Sequence, residues 1–200
     1  AIFMLLSIPW ESLDFDKLAQ LLPVFNITAT YHESYAATIH ALEYLVRKID
    51  NAHVAECVQL TLSSVAPERI LACVSHEGIS NSVKEDWFSR ALNSSLGQAV
   101  NAQIYLLARC DELELNDGST SLLDSIEQLI EASCNDEVSS NIIFAALFSQ
   151  LNFWVTNHMP FYKSHMESAL VNNDVPGHIG SVWGLSNLNI ANRQTWRSLS

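Results

Sequence analysis

Helix breakers are scarce in this chain, with six glycines and five prolines among 200 residues. That scarcity excludes collagen-like and loop-dominated chains and argues against a many-turned β-sandwich. Basic residues are also few: ten Lys and Arg stand against 22 Asp and Glu, a formal net charge of −12. So acidic a chain repels phosphate backbones and anionic membrane surfaces, which sets aside nucleic-acid binding and membrane binding. Charged residues make up only 16% and apolar residues 48%. This is enough for a substantial core and too apolar for disorder. No apolar run approaches a membrane span. Ala1 to Leu6, continued by Ile8 to Trp10, is short and lacks a basic flank, and Ile142 to Val155 is interrupted by Ser149, Gln150 and Asn152. A chain opening on Ala1 rather than Met reads as an excised or trimmed piece.

Cysteine is sparse too. Cys57, Cys73, Cys110 and Cys134 include no C-x-x-C pair, so neither a zinc ribbon nor a dithiol redox motif is present. Three of the four lie in apolar helical stretches, where a free thiol behaves as a small hydrophobe. Reduced cysteines and a large core indicate a soluble cytoplasmic protein. The glycine patterns of the P-loop, the dinucleotide fold and the nucleophile elbow are all missing. His76-Glu77 lacks the second histidine of a zincin helix, and Leu113 and Leu115 before Gly118 stand where a calcium loop needs oxygen ligands.

What is present is helical periodicity almost throughout. The spacing predicts a helix from about 9 to 22, stopped by Pro23. A capping box at Thr30-Tyr31-His32-Glu33 opens a second helix, with Tyr31, Tyr35, Ile39, Leu42, Val46 and Ile49 inward, reaching about Asp50. Helices follow at about 52 to 62 and from Pro67 to a left-handed cap at Gly78. A second box, Ser82 to Glu85, starts a segment with Trp87, Phe88, Ala91 and Leu92 inward, breaking near 93 to 95. The next stripe is Leu96, Val100, Ile104 and Leu107. Asn116-Asp117-Gly118-Ser119 is the strongest turn signal, followed by a helix carrying Leu122, Ile126, Leu129 and Ile130. From about 138 to 157 the chain is apolar on most sides, the mark of a central helix enclosed by others. Pro160 ends or kinks it. A further helix carries Phe161, His165, Met166 and Leu170, a loop spans 172 to 180, and the tail packs back through residues such as Trp183 and Trp196. The fold class is all-α: one domain, an irregular bundle of about eight helices around the apolar helix at 138–157.

Two sets of residues can carry function. Residues 110 to 137 hold nine acidic side chains and no Lys or Arg. Read functionally, this is a docking face for a basic protein surface, with Asp111, Glu112, Glu114 and Asp117 as its charges and Trp183 and Trp196 as aromatic anchors. On this reading the chain is a non-enzymatic adaptor or scaffold domain without a cofactor, and a homo-oligomer is left open. The alternative rests on the histidines. His158-x3-Tyr162-x2-His165 resembles the H-x3-D-x2-H run of haem-oxygenase-like non-haem iron oxidases, with Tyr162 standing where that family has a carboxylate. The resemblance implies an iron site inside the bundle with His40, Glu43, Glu127, His158 and His165 as ligands. Between these readings lies a ligand-binding bundle with an apolar pocket near Trp154 and Phe161.

Two further resemblances are local. Residues 121 to 157, above all Leu147-Phe148-Ser149-Gln150-Leu151-Asn152-Phe153, are similar to part of the dilute-type cargo-binding domain of myosin tails and junctional adaptors, which implies a core helix there. Arg47-x5-His53 and Arg69-x6-His76 fall within the spacing of a helical ribonuclease motif, though an RNA substrate sits poorly with the net charge.

Overall fold

A computed structural model describes residues 32–77 and 86–187. The first helix expected from the spacing, the Thr30 and Ser82 capping boxes, Gly78, Tyr31 and Trp196 lie outside the described residues. Within them the chain is all-α. The helices are α1 (His32–Lys48), α2 (Val54–Ser64), α3 (Pro67–His76), α4 (Trp87–Asn93), α5 (Ser95–Glu112), α6 (Asn116–Ser133), α7 (Glu137–Ser149), α8 (Leu151–Asn157), α9 (Met159–Phe161), α10 (Glu167–Val171) and α11 (His178–Ser186). A 3₁₀ turn (Asn51–His53) leads into α2, and a π-helical turn (Tyr162–Met166) joins α9 to α10. Among the described residues no single helix is long and apolar enough to cross a membrane.

Short polar side chains set the starts. Asp86 accepts from Ser89 N on α4, Ser94 from Gly97 N on α5, and Asp136 from Val138 N on α7. Each satisfies one of the backbone donors that a helix start leaves open. The expected break near 93 to 95 is therefore real, with Ser94 as the hinge. The predicted stripes of α1, α5 and α6 are buried, with Ile130 half-buried. Leu92, expected inward on α4, is exposed.

The apolar stretch at 138 to 157 is the hub, but not as one helix. Every residue of α7 from Ser139 to Phe148 is buried, and α7 packs against α3, α4, α5, α6 and α11. At Gln150 (φ −114°, ψ 26°) the backbone leaves the helical region and α8 departs at 68°. The polar residues that interrupt the run cause the break. Ser149 Oγ donates back to Ala146 O at 2.7 Å, and Gln150 N bonds to Leu147 O, three residues back, closing α7 with a tight last turn. Beyond the bend Asn152, Thr156 and Asn157 are exposed, as their polar side chains require.

α11 lies unusually close on α7. Gly180 and Gly184 lie one turn apart on α11. A Cβ on Gly180 would fall 2.0 Å from Asn141 O, and one on Gly184 would fall 2.6 Å from Ala145 O. Two bare glycines thus let the helices touch backbone to backbone. Asn141 completes the joint by accepting from Gly180 N through Oδ1 at 2.9 Å. It thereby caps a helix whose own N-cap, Gly177, has no side chain to do so. Gly177 itself has φ 87° and lies against the Phe144 ring, where no Cβ fits. The loop expected to run to Gly180 therefore ends three residues earlier.

Gly180→Ala sets two effects against each other. Alanine is the better helix former by about 1 kcal/mol, but its methyl overlaps a backbone oxygen that cannot step aside. Prying packed helices apart costs about 1–3 kcal/mol or more. The net expectation is destabilisation of at least about 1 kcal/mol, read as a lowered urea midpoint. An unchanged or raised midpoint would show that the crossing is looser than described.

Candidate functional site

The acidic stretch folds into a corner where α5 hands over to α6. Leu115 N bonds back to Cys110 O at 2.8 Å, and Glu114 N bonds to Asp111 O at 3.2 Å. These two bonds make a Schellman closure, whose turning residue must be left-handed and is usually glycine. Here it is Glu114, the single described non-glycine residue with positive φ, at 58°. The turn signal at Asn116 to Ser119 was thus displaced. Those residues form the first turn of α6, and the reversal occurs just before them. Gly118 is used for closeness instead of for φ, since its Cβ would sit 3.0 Å from Cys110 Sγ.

Beside this corner lies α2, and between them is a groove of about 410 Å³. Ala55, Val58, Cys110 and Leu115 give it apolar walls, while Glu114, Asp117, Asn116 and Gln59 supply polar groups. Burial, and then the neighbouring Asp111 carboxylate, push the Cys110 thiol above its ordinary value, so the sulfur is neutral. Glu114 and Asp117 are exposed, and neither side chain has a hydrogen-bond or ion-pair partner among the described residues. Glu112 is exposed as well, 3.8 Å from Arg109 Nε. The guanidinium of Arg109 also donates to Asn51 Oδ1 and, at 3.4 Å, to Ile49 O.

Not all nine acidic residues face water. Asp111 is held internally: Ser119 Oγ donates to its Oδ1 at 2.8 Å, and His158 Nε2 donates to its Oδ2 at 2.8 Å. Glu127 lies 3.5 Å from His165 Nε2. Asp136 caps α7. The other six, Glu112, Glu114, Asp117, Asp124, Glu131 and Glu137, are exposed. Asp111, expected among the docking charges, is therefore a latch between α5 and the chain after α8 and not one of the exposed carboxylates. In Ser119–Asp111–His158 the carboxylate sits in the middle. A nucleophile needs the histidine between hydroxyl and carboxylate, so this chain of bonds does not activate Ser119.

The residues named for an iron site are not brought together. His40 Nδ1 accepts from Gln98 Nε2 at 3.1 Å, and Glu43 pairs with Arg47, both on α1. His158 and His165 go to separate carboxylates. Among the described residues no group of three His, Cys, Asp or Glu could hold a metal ion. The seven-residue spacing misleads because no helix spans it. His158 ends α8 at φ −131°, Pro160 starts a new turn, and the π-helical turn re-aims His165. Tyr162 is buried, and burial, followed by Glu167, raises its phenol above the ordinary value, so it is not poised as a phenolate ligand. Trp154 and Phe161 stack with ring centroids 5.1 Å apart, filling the space where an apolar pocket was expected.

The remaining expectations resolve as follows. Trp183 is half-buried on α11, whose neighbours are α7, α4 and α10, and it does not line the acidic groove. Arg47 lies over the Tyr105 ring and His53 pairs with Asp50, so these two do not face a common site. Arg69 lies over Tyr35. The apolar walls from α2 were missed because they come from another helix. The legible clue was a helix end at Leu113 with no glycine after it. Compared with protein-family models, with curated proteins and with solved structures, the chain matches none.

Two outcomes follow from this division of the acids. Asp111→Ala removes a half-buried acceptor from two donors and is expected to cost about 1–3 kcal/mol. Equal stability of this variant and the wild type in urea would refute the latch. Glu114→Gly relieves a left-handed strain of roughly 1–2 kcal/mol while adding up to about 1 kcal/mol of backbone freedom to the unfolded chain. It should therefore raise stability slightly or leave it level. A clear loss would mean that the Glu114 side chain supports the fold.

Proposed function

We propose that this is a non-enzymatic adaptor- or scaffold-type interaction domain that docks a basic segment of another protein on the corner formed by Glu112, Glu114 and Asp117. One observation carries the reading: a carboxylate occupies the left-handed turn position where glycine would cost less. Strained non-glycine residues persist where the side chain has a task, and the Glu114 side chain has none inside the described fold. The surroundings support it. No Lys or Arg occurs from residue 110 to residue 162; Arg109 beside Glu112 offsets part of this charge, and the local field stays negative and steers cationic partners. Asp117 lies in the first turn of α6, where the helix dipole favours a negative charge and helps hold the turn. A cytoplasmic location goes with this reading, and its support is that Cys57, Cys73, Cys110 and Cys134 are all free.

The test is binding of a fluorescein-labelled Lys/Arg-rich peptide by anisotropy, across a salt series. The triple reversal Glu112→Lys, Glu114→Lys, Asp117→Lys is compared with Glu68→Lys, Asp124→Lys, Glu131→Lys, which changes net charge equally at other exposed positions. Three exposed pairs at about 0.5 kcal/mol each give about a tenfold loss for the corner variant at physiological salt. The loss should shrink as salt rises. Equal weakening by both triples would reduce the effect to net charge and overturn the reading.

A further inference from the structure

The corner is more than a charged surface, because its two unpartnered carboxylates stand over apolar walls. A flat acidic patch would serve any cation. A cleft with Val58, Ala55 and Leu115 along its sides and Glu114 and Asp117 among its polar lining asks for an occupant that is apolar along its length and cationic at its tip. Resting on the reading of this corner as a docking face, we infer that the groove between α2 and the α5–α6 turn takes one arginine side chain of the partner. Its methylenes would lie on Ala55 and Leu115 and its guanidinium between the Glu114 and Asp117 carboxylates.

Three features favour arginine over lysine. The polar lining offers several separate acceptors, the two carboxylates and the side-chain oxygens of Asn116 and Gln59. A guanidinium has five N–H donors in a fixed fork, and an ammonium has three on a point charge. The guanidinium is also the more weakly hydrated, so entering a cleft with apolar walls costs it less. Finally, the same corner already satisfies one guanidinium in this manner. Arg109 spreads over a carboxylate, a side-chain amide oxygen and a backbone carbonyl. The Cys110 thiol lies fully buried behind Gly118 and brings no charge to disturb the pairing.

The experiment is an amide-resolved NMR titration of the whole chain with N-acetyl-arginine methylamide, its lysine counterpart and its neutral isostere, N-acetyl-citrulline methylamide. Saturable shifts are expected at the amides of Ala55, Val58 and Gly118 with arginine, about fivefold weaker binding with lysine, and no saturable shift with citrulline. Ala55→Leu, an exposed position on the groove wall, fills the cleft and leaves every carboxylate; it should abolish the arginine shifts. If arginine and lysine shift the same rim residues alike, or if Ala55→Leu changes nothing, the groove inference fails while salt-sensitive peptide capture at the corner stands. If the corner triple also captures the basic peptide undiminished, the docking reading itself has failed, and the two results are told apart by the peptide assay.

Discussion

The fold depends on one backbone-to-backbone contact, the crossing of α11 over α7. A helix buried on every side must be covered on every side, and α7 offers its neighbours Ser, Asn and Ala as well as large apolar residues. The face running through Asn141 and Ala145 is the one that only a helix without side chains can approach. Gly180 and Gly184 supply that helix. The contact also satisfies part of the hub's polar surface, because Asn141 Oδ1 accepts from an otherwise uncapped amide of α11, while its Nδ2 stays buried without a partner among the described residues. Ser140 turns its hydroxyl to Ser133 O at 2.7 Å. Without these pairings the buried polar face would oppose the packing that encloses it.

Much of this is legible in the residues. The all-round apolar run marks α7 because burial on every side requires it, and the stripes of α1, α5 and α6 appear at helical spacing because only one side of each is covered. The bend at Gln150 is harder to read. Ser149, Gln150 and Asn152 are visible as polar interruptions, but the same residues would be tolerated in a straight helix with one exposed face. What decides between these outcomes is whether neighbours crowd that face. Asn116-Asp117-Gly118-Ser119 misleads for a related reason. Glycine serves two ends, positive φ and close approach, and Gly118 serves the second against Cys110. The reversal then falls on Glu114, where no local preference would place it.

The site is less legible than the fold, and the reason is geometric. Nine acidic residues within 28 positions look alike in sequence, yet three are held by partners from elsewhere in the fold or at a helix start. Asp111 and Glu127 differ from Glu112 and Asp124 only in having histidines brought opposite them by the chain after α8. That chain is re-aimed at His158, Pro160 and the π-helical turn, which separates His158 from His165 and withdraws Asp111 and Glu127 from the acidic set, while His40 and Glu43 are engaged elsewhere on α1. The same re-aiming produces the latch that pins this chain to α5.

The division also bears on how strongly the corner can bind. Exposed carboxylates contribute little each, because water and salt already satisfy them. A face made of charge alone would be weak, fast and indiscriminate toward cations. On the docking reading, selectivity then has to come from a surface that charge does not supply, and α2 lies close enough to give the carboxylates a cleft to stand over. The Schellman closure fixes the distance between that cleft and Glu114, since two hydrogen bonds hold the turn on which the carboxylate rides. A glycine in its place would keep the same closure with less strain, but would present nothing to a partner. On the docking reading, the strain at Glu114 is the energetic cost of holding a charge at a set position over an apolar wall, and the stable core around α7 is what allows the turn to bear it.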